Sequence, residues 1–142
     1  MHKFYDRENL FFAFPESWKL EGAKPFSASD SITVIGPEGE FWCICRESTK
    51  TATAIVLSQA IDAMREEYTE IEIENAQETL EGTSLEGIDI HFFCHDLTGT
   101  ASIRIWETAD CKWVIFTQAE DGRLERLKPT FNAITTSLLR GR

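Results

Sequence analysis

Between Ile88 and Ala119 apolar and polar residues alternate with period two, and this stretch limits the folds open to the chain. Successive side chains of an extended strand point to opposite faces. Three antiparallel strands are predicted: Ile88–His95, Thr100–Thr108 and Cys111–Gln118. Asp96-Leu97-Thr98-Gly99 carries the Asp and Gly of a short hairpin loop, and Ala109-Asp110 fits a two-residue turn. These turns predict that His91 faces Arg104 and Asp89 faces Trp106 in the first hairpin. In the second, Trp106 faces Trp113, Arg104 faces Ile115 and Glu107 faces Lys112, an opposite-charge pair that favours the register. One face then holds Ile88, Ile90, Phe92, Cys94, Ala101, Ile103, Ile105, Val114 and Phe116, a core face. The other mixes Asp89, His91, Phe93, Arg104, Trp106, Trp113 and Ile115, neither plainly core nor plainly solvent. A one-residue slip would exchange the two faces.

Around this meander the rest of the chain supplies further strands and two helices. Leu10–Phe14 is a short apolar run ended by Pro15, and Trp18 is expected on a sheet edge. Lys19–Asp30 reads as loop. Ser31–Ile35 and Phe41–Glu47 flank Gly36-Pro37-Glu38-Gly39, a strong hairpin signal. A helix is predicted at about 54–67, with Leu57, Ile61, Met64 and Tyr68 as its apolar stripe. Glu70–Gln77 returns to period two, with Glu70, Glu72 and Glu74 on one side, as on a protected edge strand. A last helix is predicted at about 123–139, with a break near Lys128 because Pro129 suits a first turn. The expected class is therefore α+β. A single antiparallel sheet of about six to seven strands carries one main helix on each face, in one domain spanning 1–142.

The order of elements, with Phe14-Pro15-x-x-Trp18 near the start and Phe131-x-x-Ile134-x-x-Ser137-Leu138 at the close, resembles the PsbP-like superfamily. That fold is shared by the photosystem II subunit PsbP, the Ran-binding Mog proteins and bacterial DcrB-like proteins, with a branch of chaperones for type VI secretion effectors. The resemblance implies an antiparallel sheet with helices on both faces, and a binding, assembly or chaperone role. It implies no catalytic residues.

Charge narrows the partners. The chain carries a formal charge of −10, spread unevenly: residues 62–89 hold ten acids and one base, residues 123–142 five bases and one acid. That balance argues against nucleic acid and anionic membranes. It also gives two poles, so the chain is expected to be a monomer or a weak dimer loosened by salt. No span long and apolar enough for membrane insertion occurs and the start turns polar at once, so a cytoplasmic location is expected. Cys43, Cys45, Cys94 and Cys111 lie in or beside strand-like runs and are expected reduced, with no disulfide and no structural zinc.

No catalytic motif is present. There is no nucleophile elbow, phosphate-binding glycine loop or zinc-binding helix motif. His91 and His95 share a face, but four strand residues span about 13 Å, too far for one metal ion. No catalytic, metal or cofactor residue is assigned. The candidate site is a partner-binding face made of Asp89, His91, Phe93, Arg104, Trp106 and Trp113. Either helix 54–67 covers this face, or it leaves part open as a groove of residue types favoured at binding hot spots. The function expected is a non-enzymatic binding, chaperone or assembly module for a peptide or protein segment. The alternative is a small-molecule or lipid binder with a pocket between sheet and helix; an enzyme ranks third.

Overall fold

A computed structural model describes residues 2–7, 10–21 and 31–141. The strands are β1 (His2–Arg7), β2 (Leu10–Pro15), β3 (Lys19–Glu21), β4 (Ser31–Ile35), β5 (Phe41–Glu47), β6 (Glu70–Leu80), β7 (Thr83–Cys94), β8 (Leu97–Glu107) and β9 (Lys112–Glu120). The helices are α1 (Thr53–Glu67) and α2 (Asp121–Arg140). Seven strands form one sheet in the order β3-β4-β5-β9-β8-β7-β6, antiparallel throughout, and β1 and β2 make a separate hairpin. The α+β class, with a helix on each sheet face, is as expected. The β1–β2 hairpin was not: the apolar run at 10–14 has a strand partner in His2–Arg7. Part of the predicted 19–30 loop is β3, and residues 22–30 lie outside the described residues.

The register of the β8–β9 hairpin matches the sequence reading, with Trp106 opposite Trp113 and Glu107 opposite Lys112. The β7–β8 hairpin does not. His91 pairs with Thr100, Asp89 with Ser102 and Gly87 with Arg104, a slip of four residues along β8. The turn is His95-Asp96, and His95 takes the left-handed conformation at φ 57°. Gly99, expected in the turn, is instead a strand residue beneath the Phe92 ring. A Cβ there would lie 2.3 Å from Phe92 Cζ. Because the slip is even, every side chain keeps its face.

The face assignment of the helices is a correction. Helix 54–67 was expected over the mixed face; α1 lies on the core face instead. Val56, Ala60 and Met64 pack there with Cys43, Cys45, Ile90, Phe92, Ile103, Val114 and Phe116. Leu57, Ile61 and Tyr68 flank this line half-buried, so the expected stripe is rotated. The mixed face is covered by α2 through Leu127, Phe131, Ile134 and Leu138, against Trp42, Ile44, Trp113 and Ile115. The inward residues Leu10, Phe12 and Phe14 of β2 complete this second core, as does Trp18, edge-on to Phe131 at 5.9 Å. Cys94, expected in the core, is exposed at the end of β7.

The break expected near Lys128 is absent, and α2 runs unbroken with Pro129 inside it. Proline removes one backbone donor and crowds the carbonyl four residues earlier. Pro129 and that residue, Glu125, are both exposed, so water can satisfy the freed carbonyl. The predicted poles are also partly cancelled within the chain. Arg123 and Arg126 both reach Glu38 (3.0 and 2.9 Å), and Arg140 reaches Glu81 (2.8 Å).

Candidate functional site

Strand periodicity sends Asp89 and His91 of β7, and Arg104 of β8, to the α2 side of the sheet. There α2 packs along β9 and β8 and onto β2, and leaves the outer sheet less covered. A cleft of about 250 Å3 opens between β6–β9 and α2, lined by Glu78, Asp89, His91, Ser102, Arg104 and Thr117 from the sheet. Leu124, Lys128, Phe131, Asn132 and Thr135 line it from the helix.

Arg104 anchors the cleft floor with a side chain only 13% exposed. Its Nε donates to Glu78 Oε1 at 2.8 Å, and Nη1 donates to the carbonyls of Ile88 and Ile103, both at 3.1 Å. Asp89 Oδ1 lies 2.9 Å from the same Nη1 as an ion pair, but the Nη1 hydrogens point at the carbonyls. That buried carboxylate oxygen therefore receives no hydrogen bond.

His91 belongs to a relay across four elements. Nε2 contacts Glu74 Oε1 at 2.8 Å, Nδ1 contacts Thr100 Oγ1 at 3.0 Å, and Thr100 Oγ1 donates to Asp121 Oδ1 at 2.7 Å. The single Thr100 proton goes to Asp121, so the hydroxyl accepts from Nδ1–H. Edge strand β6 is thereby tied through β7 and β8 to the first turn of α2.

The other three predicted residues lie elsewhere. Trp106 and Trp113 are cross-strand neighbours, as expected, but they border a different cavity of about 370 Å3 with Arg46, Leu10, Leu138 and Leu139. Trp113 is buried, with the Arg46 guanidinium 4.9 Å over its ring; Trp106 is half-buried. Phe93 pairs with Glu70 and Thr98 at the far end of the hairpin and lines neither cavity.

A third concavity escaped the sequence reading. The outward face of the β1–β2 hairpin meets α2 in an open groove of about 580 Å3. Phe4, Phe11, Ala13 and Pro15 line one wall, and Pro129, Thr130, Ala133 and Ser137 the other. Phe4 is 63% exposed and stacked on Phe11 at 5.7 Å. Ala13 N–H donates to Ser137 Oγ at 2.8 Å and seats the hairpin on the helix. The signal was in β2 itself: Leu-Phe-Phe-Ala-Phe-Pro is apolar on both faces, as in strands covered on both sides.

Cys43 and Cys45 share a sheet face under α1, Sγ to Sγ 3.7 Å. The hydrogen bond from Cys45 holds the Cys43 thiol below its ordinary range despite burial. The same bond, with burial, pushes Cys45 up. Among the described residues no three His, Cys, Asp or Glu side chains converge as metal ligands.

No protein-family model matches the chain, and no curated protein is similar in sequence. Solved structures match closely in shape. The cyanobacterial PsbP of Synechocystis sp. PCC 6803 superposes with a TM-score of 0.64 at 12% identity, over 96% of this chain and 90% of that one. A mutant of the protein Mog1 superposes with a TM-score of 0.58 at 8% identity, over 99% and 94%. PA94 of Pseudomonas aeruginosa, a protein of unknown function, gives 0.54 at 12% identity, over 96% and 95%. With the seven-stranded antiparallel sheet, a helix on each face and coverage of nearly the whole chain, the fold is the PsbP-like fold shared by PsbP and Mog1.

Proposed function

We propose that this chain is a non-enzymatic binding module that holds an apolar segment of a partner protein in the groove between the β1–β2 hairpin and α2. The observation that carries this reading is the outward hairpin face. Phe4, Phe11, Ala13 and Pro15 form an apolar wall where a solvated hairpin would show polar residues, and the second wall is the exposed side of α2. Charge favours a protein segment over a second copy of the chain. Among the described residues no carboxylate lines the groove, and His2 and Arg140 lie at its margin, whereas the whole chain carries −10 and repels itself.

Photocrosslinking tests this in the native host. A photoreactive residue at position 4 and another at position 133 should capture the same partner segment, and Ala133→Glu should abolish capture from position 4. Crosslinks only between copies of the chain, only to lipid, or to nothing would overturn the reading.

A further inference from the structure

The cleft between the sheet and α2 has a chemistry unlike that of the groove. We infer that it binds a small uncharged polyhydroxylated compound, one sugar or cyclitol ring in size. This inference does not depend on the groove.

Charge comes first. Arg104 faces Glu78 and Asp89, His91 faces Glu74, and Lys128 bonds Glu125 at 3.0 Å. Both fixed cations, Arg104 and Lys128, are matched by carboxylates, so an anion meets no uncompensated positive charge there, and each of those carboxylates already lies against a side-chain nitrogen of Arg104, His91 or Lys128 that a cation would have to displace. A charged ligand would lose its hydration without that return.

Hydrogen-bonding capacity comes next. Ser102 and Thr117 from the sheet and Asn132 from α2 line the cleft, and each can both donate and accept. Among the described residues none of these three side chains has a hydrogen-bond partner, and Asp89 Oδ1 is a buried acceptor with no donor directed at it. Dual-function groups around a free acceptor match vicinal hydroxyls, which also donate and accept. Asp89 Oδ1 is buried and receives no hydrogen bond, which is costly, so a ligand hydroxyl that donates to it gains accordingly, while half-buried Ser102 and Thr117 and exposed Asn132 exchange water for the ligand.

The remaining lining supplies the apolar part. Leu85, Ile115, Leu124 and Phe131 present a hydrocarbon surface to the same space. A sugar or cyclitol ring carries C–H faces between its hydroxyls, so it can use both kinds of wall. The volume, about 250 Å3, suits one ring rather than a chain of them. The relay from Glu74 through His91 and Thr100 to Asp121 holds β7, β8 and the start of α2 together, so the cleft is formed before the ligand arrives.

The test is an amide NMR titration of the full chain with four probes at matched ionic strength: glucose, myo-inositol, sodium acetate and methylammonium chloride. Glucose or myo-inositol should shift amides around 89–91, 102–104, 117 and 131–135, and saturate at about millimolar concentration. Acetate and methylammonium should not saturate. Asn132→Leu and Ser102→Ala should each weaken polyol binding about tenfold or more, with amide spectra elsewhere unchanged; Thr117→Val is the substitute if either variant fails to fold. Saturation by a charged probe in place of the polyols would overturn the ligand class. Polyol binding indifferent to these variants, or no saturable shift from any probe, would overturn the site.

Discussion

Trp113 and Trp106 stand side by side on β9 and β8 but carry unequal weight. Trp113 is buried in the α2 core under the Arg46 guanidinium, and Trp106 is half-buried at its margin. Trp113→Ala should cost about 3–5 kcal/mol, as for other buried aromatics, and Trp106→Ala clearly less. Urea unfolding of the two variants measures the order; equal losses would place both in the core. Tyr68 offers a pH readout. Burial raises its pKa above the ordinary value, with Gln118, 3.5 Å from the phenol oxygen, pulling the other way. A phenol whose folded pKa lies above its unfolded value of about 10 adds stability that is fully present below that pH. That stability is lost as pH rises through the folded value. Ultraviolet titration of Tyr68→Phe should therefore lack an ionisation that the parent shows above the ordinary range.

At the scale of elements, two local rules gave way to tertiary packing. Pro129 survives inside α2 because both it and Glu125 face solvent. Alanine there would recover about 3 kcal/mol of helix preference, less about 1 kcal/mol of chain entropy that proline removes from the unfolded state. Pro129→Ala should thus raise stability by about 2 kcal/mol in thermal or urea unfolding; a destabilised variant would show that the proline shapes the helix packing. Gly99 was read as a turn residue, yet its place is under the Phe92 ring, which stacks on Tyr68 at 4.2 Å. Gly99→Ala must displace the buried Phe92 ring and should cost about 1–3 kcal/mol. A turn glycine with free space beside it would respond through backbone strain alone. The edge strand β6, by contrast, was legible from its alternating glutamates.

For the whole molecule, the segregation of charge along the chain does not survive folding as two free poles. Arg123, Arg126 and Arg140 are matched by Glu38 and Glu81, leaving the net −10 as the dominant long-range term. With those three arginines paired, a second expectation stands against the salt-loosened dimer: self-association that salt promotes. Going from about 0.01 M to about 1 M salt shortens the screening length from about 30 Å to about 3 Å and removes the mutual repulsion. Sedimentation velocity should show a monomer at low salt, with any association confined to high salt, where apolar contacts such as the groove can act. A dimer that dissociates on adding salt would restore the two-pole reading.

Period-two alternation and turn chemistry are local properties. From Ile88 to Ala119 they determined the meander, its two faces and the pairing of Trp106 with Trp113. They also placed the β4–β5 hairpin and both helices to within a few residues. The β7–β8 slip escaped them because the tight turn uses His95, a non-glycine residue at φ 57°, while Gly99 is a strand residue against the Phe92 ring, a contact no local rule contains. Which helix covers which face was beyond local reach. Both helices are amphipathic, and α2 lies on the Trp113 side packed both on the sheet and on β2, which docks on it across 124 residues at Ala13 and Ser137. That same docking separated the predicted face into the Asp89–His91–Arg104 cleft and the tryptophan cavity, and built the groove. Concave sites of this kind are made by elements distant in sequence, so no window of the chain contains them.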